Sequence, residues 1–354
     1  MSIKTLLILI ITFIIFNLNI NGNYFTYKWV AFEIFSIAII SHHINKQYGI
    51  FFGLLFFYFG WVNCCQGIEV KDALQLLAIQ KGTVTLILFG AMLLIGKKIL
   101  SFLTSEVWLY LLLACISQVF IGYPFSGFTG NTSLNACLIS MMFFMAIPAA
   151  NKFFAGVYYL FIVSVISIIS TGSSIGLISL IVGATVYMLF VEKSLLRYFA
   201  LILPIVTIPV MIYFYKEQAF SFSGRPDIWN SIWLYFKNET NVFFGSGVGS
   251  GFYIIPKAIL KYSETKKEIT PWAHNEFIQI ILESGIIGIT IFILASIQFI
   301  KKTILSKKYN LTAFTICYLV ICFGNFPNRL APEAIIILSA MFMNYHKSEA
   351  GDSL

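Results

Sequence analysis

Apolar residues run through this chain in stretches of about 15 to 25, separated by short polar joints, which is the spacing of helices that cross a bilayer. The pattern predicts twelve spans, at roughly 3–20, 29–44, 48–64, 78–96, 103–121, 132–150, 154–171, 174–191, 198–215, 272–299, 310–325 and 331–345. The shorter ones fit a membrane by local thinning or by snorkelling of flanking residues. One stretch breaks the rhythm. Between Glu217 and Thr270 the chain turns hydrophilic, with charged residues at about twice the density found elsewhere. A loop of that length inside a compact fold usually carries function.

Composition removes the soluble alternative. Charged residues make up 11% of the chain and apolar ones 59%, against about 25% charged in a water-soluble domain. Mean hydropathy is +0.87. The fold class is therefore all-α, a polytopic membrane protein with about twelve transmembrane helices and one large external loop, which the resemblance given below places in the inner membrane. Residues 1–216 hold the first nine helices, 217–270 the large external loop (periplasmic under the resemblance given below) and 271–354 the last three. The net charge of +8 does not imply nucleic acid, because the basic residues sit in short joints where they set orientation. With the N-terminus inside, twelve of the 23 Lys and Arg fall on inside segments and four on short outside loops. The other seven are Lys216, just before the long loop, and six within it, and this count places the loop outside. The six cysteines have no metal-site spacing and read as small buried hydrophobes. The first apolar stretch, Leu6 to Ile20, has no Ala-x-Ala cleavage site and reads as a retained helix.

Chemistry concentrates in the loop. Ser223 is placed to cap a helix from about Arg225 to Lys237, with Pro226 in its first turn. Ile228, Trp229, Ile232 and Phe236 recur at helical spacing, so this helix is expected to lie on the membrane surface with its aromatics at headgroup depth. Arg225 at its start either snorkels to lipid phosphate or offers a guanidinium fork to a phosphate or pyrophosphate. Gly245, Gly247, Gly249 and Gly251 alternate through a turn that lacks dinucleotide spacing; an anion nest and a flexible link both fit it. His274 is the only histidine on the external side in this topology. Thr270 as N-cap and Pro271 at the first helical position would put His274 in the first turn of the next span. The positive helix end there disfavours imidazolium and suits a neutral general base, although an interfacial hydrogen-bonding histidine would look the same. Glu283, about two turns deeper, needs a partner. Gly285 and Gly288 would let another helix approach closely.

Read in order, Arg225, Trp229, Gly245, Gly247, Gly249, His274, Asn275, Gly285 and Gly288 resemble the pattern of the O-antigen ligase and polymerase family of envelope polysaccharide glycosyltransferases. These have a membrane fold grouped with the glycosyltransferase C superfamily. The resemblance covers about Ser223 to Ile293, with weaker matches at Thr171 to Gly176 and at the polar start of span six, Gly127 to Asn135. It implies an undecaprenyl-pyrophosphate-linked glycan donor, a glycan or lipid A-core acceptor, and transfer at the outer face of the inner membrane. His274 would be the base and Arg225 the cation stabilising the leaving pyrophosphate. Asn275, Trp229, Gly247, Gly249, Asn131 and Arg329 complete the expected substrate-binding set. Neither a metal nor an organic cofactor is implied. The family often carries Ser-Arg before span eight, where this chain has Ser173-Ser174. Either Arg225 works with another cation, Arg329 being the best placed, or donor binding differs. That absence tilts the reading to a polymerase over a ligase to lipid A-core. A protein oligosaccharyltransferase and a lipid-linked sugar flippase or other transporter are the remaining alternatives. The spans carry few ionisable residues of the kind transporters use.

Overall fold

Apolar stretches that cross a bilayer require helices that satisfy their own backbone groups, since a bilayer core offers no hydrogen bonds. The computed structural model describes residues 104–121, 132–153, 155–191, 225–247, 249–263 and 269–325, with isolated positions at 202, 205, 209 and 340. Eight helices lie in these ranges: α1 (Ser105–Ile121), α2 (Thr132–Ala150), α3 (Gly156–Thr171), α4 (Ser174–Val191), α5 (Arg225–Glu239), α6 (Gly251–Tyr262), α7 (Glu276–Leu305) and α8 (Tyr309–Gly324). The described part is helical, with no named strand. Of these, α2, α4 and α7 are long and apolar enough to cross a membrane. The expected spans at 3–20, 29–44, 48–64 and 78–96 lie outside the described residues, as do 198–215 and 331–345 apart from the isolated positions. Ser223, Asn131 and Arg329 lie outside them too.

Helix α2 is apolar around its whole circumference, and such a helix belongs in the middle of a bundle. It does: from Leu134 to Ala150 all but one residue is buried, with α1, α3, α4 and α8 packed round it. Its Pro148 has no N–H, which leaves the Phe144 carbonyl without its helical partner. Asn310 of α8 supplies the missing donor, its Nδ2 lying 3.3 Å from that oxygen. Gly172, in the left-handed region at φ 71°, closes α3 and lets α4 begin two residues later. The closely spaced pair of spans is thus two helices joined by a tight turn.

The two ends of this bundle differ. At one end Lys152 pairs with Glu106, and Phe190 stacks on Tyr309 at 5.2 Å. Lys301, Lys302, Lys307 and Lys308 lie at that end, around the junction of α7 and α8. At the other end Ser133 meets Ser173 at 3.3 Å, and Asn325 donates to Cys137 Sγ at 3.5 Å. The long polar stretch packs over that second end.

Helix α5 departs from expectation. Its apolar face, Ile228, Ile232 and Phe236, is buried, but against Ile254, Ile255 and Ile259 of α6 and Leu282 of α7. The spacing that predicted a membrane-facing stripe is real, and protein covers it instead of lipid. Helix α6 was not foreseen. Its Ile254, Ile255, Ala258 and Ile259 form one apolar side that fits the stripe on α5. Ser263 Oγ donates to Asp227 at 2.5 Å, and Lys261 and Tyr262 both reach Glu239, tying the pair at its edges.

Helix α7 also differs. It begins at Glu276, not at Pro271, and Asn275 is its N-cap, accepting from the Ile278 N–H at 3.1 Å. It is not continuous. Gly285 has φ 66° and ψ −166°, a conformation for glycine alone, and splits α7 into a first part of nine residues and a longer second part. The orphan groups on both sides of that break are taken by the glycine turn. Ser246 and Gly247 N–H donate to the Leu282 and Glu283 carbonyls at 2.9 and 2.8 Å. Ile286 and Ile287 N–H donate to the Val242 and Phe243 carbonyls at 3.0 and 3.2 Å. Four hydrogen bonds stitch the turn across the break. The close partner foreseen for Gly285 is this turn and not another helix.

Candidate active site

Every helix ends with carbonyls that have no partner of their own. At the end of α8 two of these carbonyls collect the site. Arg225 Nη1 donates to Gly324 O at 3.3 Å, and Asn275 Nδ2 donates to Phe323 O at 3.2 Å. A guanidinium at the negative end of a helix dipole is favourably placed. The first residue of α5 and the cap of α7 are therefore fixed to consecutive residues of α8. His274 precedes Asn275 and lies close enough to Arg225 to feel its charge.

His274 is itself in the left-handed region, at φ 50°. A non-glycine residue holds that conformation only where its neighbours impose it. Here they do. On one side the Ala273 carbonyl accepts from Trp229 Nε1 at 2.7 Å, and the Ala273 N–H donates to Gln279 Oε1 at 3.4 Å. On the other side Asn275 is held twice, by Ile278 N–H and by Phe323 O. His274 thus sits just before the helix and not within its first turn, and backbone strain aims it.

The imidazole is half-buried. Its pKa is pushed down to about 4, chiefly by burial and secondarily by the positive charge of Arg225. The ring is neutral at neutral pH, as a base must be before it takes a proton.

Behind His274 a buried polar chain runs to the glycine turn. Gln279 Nε2 donates to Glu283 Oε1 at 3.2 Å, and Glu283 Oε2 accepts from the Gly249 N–H at 2.8 Å. A Cβ on Gly251 would stand 2.6 Å from Glu283 Oε1, so the carboxylate lies against the start of α6. The N–H groups of Gly247 and Gly249 that an anion nest would use are given to Glu283, one to its carbonyl and one to its carboxylate. The partner that the sequence required for Glu283 is the turn itself. Gln279 carried no signal beyond its place one turn before Glu283.

The structure therefore brings Arg225, Trp229, His274 and Asn275 together at the end of α8, and sets Gly247 and Gly249 behind them in the brace. Among the described residues no group of three or more His, Cys, Asp and Glu side chains comes together.

A neutral histidine and an arginine thus meet at one end of an apolar helical bundle. Residues 159–293 match the family model described as O-antigen ligase. The matched segment holds α3 from residue 159, all of α4, both arms of the stitch, and every described residue of the site outside α8. None of the curated proteins matches the chain. The family is one of glycosyl-transferring enzymes in O-antigen and surface-polysaccharide assembly, and with its apolar helices the chain is an integral membrane protein.

Proposed function

We propose that this protein transfers a glycan from undecaprenyl pyrophosphate to the hydroxyl of an acceptor sugar at the outer face of the inner membrane, as an O-antigen polymerase. The observation that carries the reading is the joint anchoring of Arg225 and Asn275 on Gly324 and Phe323, which holds a cation and a neutral histidine side by side. His274 takes the proton of the acceptor hydroxyl. The freed oxygen attacks the anomeric carbon, and the bond from that carbon to the pyrophosphate oxygen breaks on the opposite face, so configuration inverts. Negative charge grows on the departing pyrophosphate, where Arg225 stabilises it most in the transition state. The low pKa of His274 suits the site without donor. A pyrophosphate beside Arg225 offsets the guanidinium charge and raises the basicity of the imidazole when the base is needed. No metal is required for these steps, which use only the two side chains.

A ligase acting on lipid A-core would use the same two residues, and the description of the matched family favours it. The two readings separate by acceptor. Purified protein is given a lipid-linked repeat unit, with either a second repeat unit or lipid A-core as acceptor. Elongation of the lipid-linked chain supports the polymerase, and modified lipid A-core supports the ligase. His274→Ala and Arg225→Ala should each abolish transfer. Full transfer by both variants would overturn the catalytic assignment.

A further inference from the structure

Exposure along α7 changes abruptly at the break. From Glu276 to Gly285 no residue is exposed, and this part holds two carboxylates, Glu276 and Glu283. From Ile286 onward Ile286, Ile287, Ile291, Leu294 and Ile297 are all open to the outside of the bundle, and no charge appears before Lys301. At 1.5 Å per residue, the uncharged run Ile286 to Ile300 measures about 22 Å, enough to cross a hydrocarbon core of about 30 Å where Lys301 and Lys302 snorkel past its end, whereas the whole of α7 is about twice that length. The break thus divides a covered part that carries charge from an exposed apolar part.

The turn stitched onto that break carries Val242, Phe243 and Phe244 at its tip. These are 36%, 62% and 44% exposed. The tip sits beside Ile286 and Ile287, the first lipid-facing residues of the span, because its carbonyls cap their N–H groups. Its backbone suits an apolar setting. The Phe243 and Phe244 N–H groups donate to Asn241 Oδ1 at 3.0 and 3.2 Å, and the Gly245 N–H donates to Asn241 O at 2.6 Å. Val242 and Phe243 carbonyls are taken by the span. Most backbone groups at the tip are thereby paired, which lowers the cost of leaving water.

We infer that the Asn241–Gly245 turn is a membrane-inserted wedge, whose two phenylalanines enter the acyl boundary of the bilayer beside the second part of α7. The apolar surface of the tip continues the lipid-facing belt of that helix, so the occupant is lipid. The wedge fixes the height of the site: the turn holds Glu283, and the chain from Glu283 through Gln279 ends on the N–H of Ala273, next to His274. Anchoring the tip in the bilayer holds His274 about two turns of α7 above the boundary.

The inference rests on the membrane reading alone, so its test does not use transfer activity. Full-length protein is placed in lipid nanodiscs with a bimane attached at Phe243→Cys, at Leu294→Cys as a span control and at Lys237→Cys as a water control; wild type treated in parallel gives the background. Lipids carrying a nitroxide near the headgroup should quench position 243 strongly, and those with the nitroxide near the chain end should prefer position 294. Aqueous iodide should quench position 237 several-fold more than position 243, as expected for an apolar tip about 5–10 Å below the interface. Equal iodide quenching at 243 and 237, with none by lipid, would overturn the inference. So would protection of position 243 that disappears on dilution to one copy per disc, which would make a second chain the occupant. Protection that appears only on adding a polyprenyl phosphate would overturn it in favour of the substrate's own chain.

Discussion

Replacing Gly285 by alanine tests the stitch directly. The residue has φ 66° and ψ −166°, and a side chain there costs about 1–3 kcal/mol in backbone strain. Space adds a second cost. The new Cβ would stand 2.2 Å from Phe243 O, 2.3 Å from Phe243 C and 2.6 Å from Phe244 N, all backbone atoms that cannot rotate away. The turn must move off, and four hydrogen bonds cross that seam. Losing two of them at about 1 kcal/mol each brings the total to roughly 3–5 kcal/mol. Gly172→Ala is the control, since Gly172 has φ 71° but nothing within 4 Å of the place its Cβ would take. It carries only the left-handed strain, about 1–2 kcal/mol. Thermal unfolding of both variants in one detergent should place Gly285→Ala about 4 °C or more below Gly172→Ala. Limited proteolysis should open residues 242–247 in the first variant alone. Equal midpoints with equal protection of that turn would refute the stitch.

The same network yields further expectations. Glu283→Ala leaves the Gly249 N–H and the Gln279 amide without their acceptor, a loss of about 1–3 kcal/mol for each group. Transfer should fall at least tenfold, with Glu283→Gln restoring much of it because one amide oxygen still accepts from Gly249; equal loss in both would show that charge and not the brace matters. Trp229→Phe keeps the packing but removes the bond to Ala273 O, and should cost about 1 kcal/mol and lower kcat more than it raises KM. His274 has a folded pKa of about 4, below its unfolded value, so it contributes nothing against acid above pH 6.5 and progressively destabilises the fold as pH falls from there towards 4. NMR of labelled histidine, assigned with His274→Asn, should find this group titrating near 4. In Arg225→Ala it should move up but stay below 6.5, because burial is the larger cause; an unchanged pKa would separate the two residues.

Residue type and spacing carried the described apolar helices and singled out Arg225 and His274. Span edges at 132–150 and 174–191 match α2 and α4, because a continuous apolar run flanked by polar residues leaves little choice of register. His274 and Arg225 stood out by being rare, polar and at predicted helix starts. The start of α7 was less legible because two caps compete there. Thr270-Pro271 has the local pattern of a beginning, and Asn275 has it too. Asn275 wins because Trp229 and Gln279 hold Ala273 from outside the segment, which keeps residues 271–274 out of the helix.

Glycine hides more than any other residue. Gly285 and Gly288 look like a small face for helix packing, yet Gly285 breaks α7. Close approach and positive φ call for the same residue, and which one applies is decided by residues 242–247, forty positions upstream. The meeting of His274 and Arg225 was hidden for a deeper reason. Arg225 and Asn275 converge because Gly324 O and Phe323 O lie at a helix end and need donors. Every residue has a carbonyl, so nothing in the letters Phe323 and Gly324 marks these two. Their role comes from where α8 stops, and α8 stops where Asn325 turns to extended backbone at φ −153° and sends its own amide to Cys137 of α2. The position of the site is thus set by how the last described helix seats in the bundle core, and a substitution at Cys137 that unseats Asn325 should disturb Arg225 and Asn275 together, although it touches neither.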